Sequence, residues 1–220
     1  MAVIFGDSDK KKNSNLEQQK QHLYRYWKNS RFITSEPVLK AFLAVPRELF
    51  VDPSYLDQSY SDHPLPIGCE QTISQPTTVM LMLQLLELLP GQRVLEIGAG
   101  SGYNAALLAE LSGVVVTVER QKQLFKIAQD NLKQAGYEDV IVVNGDGKQG
   151  YASEGPYDRI MVTAAAHQVP QNLKDQLSIG GLLVAPIGAT YGCEMKTYKK
   201  ISSVNFQISE HGLFSFVPLV

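Results

Sequence analysis

From residue 93 onward, short apolar runs alternate with amphipathic stretches. Residues 94–97, 114–118, 140–143, 157–163 and 181–187 read as five buried strands. Between them, residues 103–111, 121–135 (closed by Gly136) and 171–177 read as helices. Apolar runs of strand length, bounded by Gly and Pro and alternating with helices, predict a doubly wound, mostly parallel α/β sheet. The chain before residue 93 follows another pattern. Residues 6–21 are polar and rich in Lys and Gln, which predicts a frayed or partly helical start, and residues 23–43 read as two short helices. Thr34 or Ser35 stands where it can cap the second, with Glu36 and Pro37 in its first turn. Residues 46–68 hold many Pro, Asp, Ser and Tyr, and their aromatic content favours ordered but irregular chain. A helix starts at Pro76 and carries Met80, Leu83, Leu86 and Leu89 to a stop at Pro90-Gly91. The tail predicts two strands, 201–208 and 213–218, turning at Glu210-His211-Gly212. The expectation is a single domain over residues 1–220, with a flexible start (1–15), a helical lid region (16–90) and an α/β core (91–220).

Composition narrows the class. A chain of 220 residues, 44% hydrophobic and 19% charged, suits one globular domain with a sizeable core. The net charge of -2 points neither to nucleic acid nor to an anionic membrane. No apolar run approaches the roughly 20 residues that span a bilayer. The first residues place a short apolar run before Asp-Ser-Asp-Lys-Lys-Lys, the wrong order for a signal peptide. A cytoplasmic protein, expected as a monomer, is the simplest reading. Cys69 and Cys193 are expected as free thiols in that compartment. The four histidines are scattered, without CxxC or HxxxH spacing, so no metal is expected.

The chemistry concentrates at Glu96-Ile97-Gly98-Ala99-Gly100-Ser101-Gly102, between a strand and a helix. Glycines there let the backbone turn sharply and let a ligand approach where a Cβ would clash. In open α/β sheets, ligands bind at the carboxyl ends of the strands, beside this turn. Dinucleotide enzymes share that much, but Tyr103 stands where their fingerprint has its third glycine. Glu96 would put an acid beside the ligand, which fits the cationic end of S-adenosylmethionine and suits a pyrophosphate poorly. A strand-end carboxylate held by backbone amides is the plainer alternative for Glu96. Glu119 ends the next strand and can accept both hydroxyls of a ribose, or else pair with Arg120 or Lys122. Asp146, in Gly145-Asp146-Gly147, can reach an adenine amino group, or else belongs to a solvated turn.

Further segments carry a family resemblance. Val45-Pro46-Arg47-Glu48-Leu49-Phe50-Val51, Leu65-Pro66-Ile67-Gly68 and Gln71-Thr72-Ile73-Ser74-Gln75-Pro76 are the most specific. Gly145-Asp146-Gly147, Tyr157-Asp158, Val162-Thr163-Ala164-Ala165-Ala166 and Phe216-Val217-Pro218-Leu219 join them. Together they resemble the protein-L-isoaspartate O-methyltransferases over most of residues 34–219. The resemblance implies an S-adenosylmethionine-dependent methyltransferase (Rossmann-like) fold. It also implies methyl transfer to the free α-carboxylate of L-isoaspartyl residues in damaged proteins and peptides, which starts repair through a succinimide. It makes Ser74 the active-site residue; on residue type alone, Ser74 or Gln75 reads as the N-cap of the helix at Pro76. It assigns the cofactor to Thr72, Ile73, Glu96, Gly98, Gly100, Ser101, Glu119, Arg120, Asp146 and Gly147. It assigns the substrate to Ile73, Ala165, His167, Val217 and Leu219, with Ala164, Ala166 and Pro218 also at its border. His167 is expected as a wall or capping residue, because a carboxylate is already an anion at neutral pH and needs no base.

Two departures accompany the resemblance. Cys69-Glu70 stands where relatives commonly have His-Gly, adding a charge and a Cβ near the lid, with altered lid closure or substrate preference expected. The sequence ends at Val220, where many relatives continue, and weaker cofactor binding is expected from that. A methyltransferase of the same fold with another acceptor is the alternative reading. Thr163-Ala164-Ala165-Ala166-His167 lacks side chains that would stack on a nucleobase, and no Tyr-x-x-x-Lys supports an oxidoreductase. A non-catalytic protein that keeps the fold would be indicated if Ser74 were dispensable.

Overall fold

The computed structural model describes residues 7–189 and 191–219. The chain opens with α1 (Asp7–Ser30) and α2 (Glu36–Ala44), then two short 3-10 turns. A small antiparallel hairpin follows, β1 (Leu65–Gly68) with β2 (Gln71–Ile73), leading into α3 (Pro76–Leu85). The core then runs β3 (Arg93–Ile97), α4 (Tyr103–Leu111), β4 (Val114–Glu119), α5 (Lys122–Gln134) and β5 (Ile141–Asn144). It closes with β6 (Tyr157–Val162), α6 (Gln171–Gln176), β7 (Leu177–Ile187), β8 (Tyr191–Lys200) and β9 (Phe206–Ser215).

β3 to β9 form one sheet in the order β5-β4-β3-β6-β7-β8-β9. β3 to β7 pair in parallel, and β8 and β9 add an antiparallel edge. This is the doubly wound, mostly parallel architecture. Period-two alternation sends Leu95, Ile97, Val116 and Val118 into one apolar layer, and Val94 and Val115 into the opposite layer with α1 to α4. The chain winds from β3 out to β5 and then restarts on the other side at β6. The switch point therefore lies between β3 and β6, where such sheets bind ligands.

Several expectations are corrected. The start is one long helix from Asp7 rather than a frayed segment and a separate short helix; residues 1–6 of the expected flexible start lie outside the described residues. Leu16, Leu23 and Trp27 share its buried face, and Lys20 interrupts their stripe. The Lys20 stem packs inward while its ammonium donates to the Leu43 carbonyl at 2.7 Å, so a core position is filled by a polar residue. Ser35 occupies the N-cap of α2 but makes no side-chain cap bond. Gln84 on α3 instead holds the chain entering α2, its Oε1 accepting the amides of Thr34 (2.7 Å) and Ser35 (3.0 Å). α3 stops at Leu85, short of Pro90, because Glu87 takes a left-handed φ of 49°. Residues 65–68, expected as irregular, form β1.

The tail differs most. β8 was not anticipated, although Cys193, Met195 and Thr197 alternate inward with Glu194 and Lys196 outward. β9 runs straight through Glu210-His211-Gly212, and the reversal lies instead at residues 201–205, where the Ile201 amide meets the Asn205 carbonyl at 2.9 Å. Gly212, with φ 96°, marks an extra residue opposite the step from Glu194 to Lys196: a β-bulge rather than a turn. Both cysteines are free thiols. No helix among the described residues is long and apolar enough to cross a membrane.

Candidate active site

The glycine turn leaves the carboxyl end of β3 at the switch point. Gly98 takes φ 97°, and a Cβ there would lie 2.4 Å from the Thr163 hydroxyl oxygen. That hydroxyl sits 2.9 Å from the carbonyls of both Ile97 and Gly98, so the end of β6 fastens the start of the turn. Glycine at 98 is thus required by both backbone angle and space. Gly100 (φ 54°) faces the β1-β2 hairpin, and a Cβ there would meet Ile67 Cδ1 at 3.2 Å. Glu119, at the end of β4, accepts the amides of Gly100 (2.9 Å) and Gln121 (2.8 Å), one on each carboxylate oxygen. It pairs with neither Arg120 nor Lys122. The carboxylate ties the turn to the next strand and keeps lone pairs free on the cavity side.

Two adjoining cavities meet at Glu119. One is lined by the glycine turn, Glu119, residues 71–74 of the hairpin, Thr163 and Val217. The other is more apolar, with Ile97, Val118, Arg120, Gly147 and Leu219 in its wall. A third and larger space, about 810 Å³, opens from Thr72, Ser74 and Thr163 toward the C-terminal segment 213–218. Ser74 and Val217 line both the first and the third, so they stand at the passage between them.

Ser74 is not a helix cap. Gln75 holds that place in α3, without a side-chain bond, and Asp62 supplies the cap from a distant loop. Asp62 accepts the Thr77 amide at 2.9 Å and the Thr77 hydroxyl at 2.6 Å. The Ser74 hydroxyl has no hydrogen-bond partner among the described residues. Its backbone, by contrast, is held firmly. Arg47 is fully buried and donates to the carbonyls of Ser74 (2.9 Å) and Ser59 (2.8 Å), with its guanidinium 4.8 Å from the Tyr103 ring centre. A free hydroxyl on a fixed backbone at a cavity wall can donate to, or accept from, an external partner.

Comparison with known proteins places the chain in a family. The family model described as protein-L-isoaspartate(D-aspartate) O-methyltransferase matches residues 18–220. The chain belongs to that family. A Methanopyrus kandleri protein-L-isoaspartate O-methyltransferase is 45% identical over 205 residues, covering 91% of each chain. Among solved structures, a protein-L-isoaspartate O-methyltransferase superposes with a TM-score of 0.82 at 33% identity; the match covers 90% of this chain and 65% of that one. A Plasmodium falciparum protein described as the same enzyme, in complex with S-adenosyl-L-homocysteine, gives 0.80 at 27% identity, over 90% and 97% of the two chains.

Within this family member, the expected site residues fall into three groups. Thr72, Ile73, Ser74, Gly98, Gly100, Ser101 and Glu119 converge on the first cavity, joined by Val217. Arg120, Gly147 and Leu219 line the apolar one. Ala164 borders both cavities and Pro218 the apolar one, whereas Glu96, Asp146, Ala165, Ala166 and His167 lie apart from both. Glu96 is buried behind the turn, where its Oε2 accepts the Thr117 hydroxyl at 2.6 Å and its Oε1 has no partner. Burial pushes its pKa up to about 8, with nearby Glu119 adding to the rise and the Thr117 bond opposing it. At neutral pH it is therefore mostly protonated, and it is neither amide-held nor a cavity-facing anion. Asp146 is exposed and accepts the Lys148 amide at 2.9 Å, as a solvated turn would. Ala165 pairs with the C-terminal segment through bonds of 2.7 Å to Val217 and Leu219, and His167 opens on a separate cavity beside Lys148 and Gln168.

Sequence reasoning passed over Thr163 and Gln71 as cavity walls, and Arg47 and Asp62 as the supports behind them. Thr163 and Arg47 lie inside segments that carry the resemblance. Asp62 left no local signal, because it caps a helix 15 residues away.

Proposed function

We propose that the paired cavities at the switch point hold S-adenosylmethionine and that Ser74 orients the substrate carboxylate at the passage beside it. The observation that carries this reading is the free Ser74 hydroxyl on a backbone clamped by Arg47, between the glycine-turn cavity and the large open one. The reaction is S-adenosylmethionine-dependent methylation of the free α-carboxylate of L-isoaspartyl residues. The ester then loses methanol as the following backbone nitrogen closes a succinimide, which opens in part to normal aspartate.

The residues present fit the cofactor. Glu119 offers lone pairs to a ribose diol, and the apolar slot of Ile97, Val118 and Leu219 suits an adenine face. Gly98 to Ser101 bring backbone close to the ligand without side-chain bulk. When bound, S-adenosylmethionine supplies a methyl group on a positively charged sulfur. Glu119, rather than the protonated Glu96, contributes negative charge on the cavity side. Ser74 needs only to donate one hydrogen bond that aims a carboxylate oxygen, since an α-carboxyl of reference pKa about 3.5 is already ionised. We further propose that residues 1–220 act as a single domain, as a cytoplasmic monomer, and on peptides rather than nucleic acid. The near-neutral charge supports the last point, and sedimentation at the 24.3 kDa mass of one chain is the result expected.

The test is methyl transfer from labelled S-adenosylmethionine to two synthetic peptides that differ only in L-isoaspartate versus L-aspartate. Base-labile label on the isoaspartyl peptide alone is expected. Label on neither peptide, with cofactor binding intact, would overturn the assigned acceptor.

A further inference from the structure

The hairpin that leads to Ser74 turns at Cys69-Glu70, and both residues adopt left-handed backbone angles, φ 51° and 59°. Two successive positive φ values are the geometry of the tightest hairpin turn, which Asn and Gly fill most readily. The tip is fixed in place by the pairing of Leu65 with Ile73 and Pro66 with Thr72. On its other side the Cys69 thiol lies 3.5 Å from Gln123 Oε1 on α5. Glu70 is exposed, and its carboxylate has neither an ion pair nor a hydrogen bond among the described residues. It lines the same 810 Å³ cavity as Ser74. The other lining side chains, among them Thr72, Gln75, Leu213, Phe214 and Phe216, are all uncharged.

We propose that Glu70 selects substrates by the charge of the residues flanking the isoaspartate, favouring Lys or Arg and disfavouring Asp or Glu. This inference rests on the reading that the large cavity receives the peptide. An unpaired anion on an otherwise uncharged wall gives the cavity a negative potential. A flanking cation gains from it, whereas a flanking acid meets like charge. Strand geometry locates the effect. At about 3.3 Å per residue, Glu70 lies roughly 13 Å along the strand from Ser74. An extended peptide advances by a similar step, so the selected charge sits about two to four residues from the methylated one. Both partners stay near solvent, so the preference is modest and falls as salt is raised.

The experiment compares kcat/KM for three isoaspartyl peptides that differ only in one flanking residue, Lys, Ala or Glu, scanned over those positions. The enzyme, Glu70→Gln and Glu70→Lys are assayed at low and high salt, with cofactor affinity measured for each to verify folding. The expected order for the unaltered enzyme is Lys above Ala above Glu, with a Lys-to-Glu ratio of about five- to tenfold at low salt. Glu70→Gln brings the ratio close to one, Glu70→Lys inverts it, and high salt shrinks it. A ratio near one in the unaltered enzyme, or an unchanged ratio in Glu70→Gln, would overturn the proposal. Should a charge variant misfold, the salt dependence of the unaltered enzyme still decides: a preference insensitive to salt is not electrostatic and does not belong to Glu70. Failure to methylate even the Ala peptide would instead count against the proposed acceptor itself.

Discussion

The two walls of the active-site cleft are built in different ways. The wall proposed for the cofactor is backbone: a glycine turn at the end of β3, fastened by Thr163 from β6 and by Glu119 from β4. All its parts come from neighbouring strand ends of one parallel sheet. The opposite wall is assembled from distant segments. It combines the β1-β2 hairpin and Ser74, a buried Arg47 from a 3-10 turn, and the C-terminal segment that pairs with Ala165. A wall of backbone amides and strand ends suits one invariant ligand. A wall of side chains on a hairpin and a tail can vary with the substrate without disturbing the first.

If the cofactor wall depends on backbone form, a single Cβ should break it. Gly98→Ala is expected to weaken S-adenosylmethionine binding by more than about 100-fold and to cost about 2–4 kcal/mol of stability, through the Thr163 clash and the positive φ. Calorimetric titration and denaturant unfolding measure both, and near-normal binding would show that the turn is not the seat of the cofactor.

Next in size is Glu96, which separates structure from ligand contact within the same wall. Its folded pKa of about 8 exceeds the ordinary 4.5, so the folded protein keeps a proton that the unfolded chain releases. Stability from the neutral form is complete below about pH 4.5 and is lost as pH rises through about 8. Glu96→Gln is expected to flatten that slope and to gain on the order of 2–3 kcal/mol at pH 8 relative to the unaltered protein. Denaturant unfolding between pH 5 and pH 9 checks it, and an unchanged slope would remove the assignment.

A smaller effect should sharpen the opposite wall. Arg47→Lys keeps the charge but offers one point donor where two guanidinium nitrogens meet two carbonyls. A stability loss of about 1–2 kcal/mol is expected, with a fall in kcat larger than any change in cofactor affinity. Equal losses in both would mean that Arg47 supports the whole cleft rather than Ser74.

How much of this was legible follows the same division. The five parallel strands and their helices could be read because Val94 to Ile97 and the other central strands are largely buried on both faces, giving local apolar runs; the edge strand β5 keeps its apolar run although it is only half-buried. The positions of Gly98, Gly100 and Glu119 beside the cavity were legible for the same reason: each follows directly from a strand end. The lid and tail were read less well because their residues answer to distant partners. Lys20 sits in a core stripe by reaching the Leu43 carbonyl, Gln84 holds the entry to a helix about 50 residues away, and Gly212 marks a bulge only because β8 lies opposite. Glu96 misled for a related reason. Its place in the motif says that an acid stands there, but only the packing of Thr117 against it shows where it faces.

Ser74 is proposed to act on the substrate and not on the cofactor. The direct measurement is S-adenosylmethionine affinity and isoaspartyl methylation in Ser74→Ala, determined on the same preparation. Cofactor binding is expected within about twofold of the unaltered enzyme and kcat/KM lower by roughly 10- to 100-fold, the loss of one orienting hydrogen bond to a charged group. Full methylation in that variant, or a loss of cofactor binding that matches the loss of transfer, would contradict it.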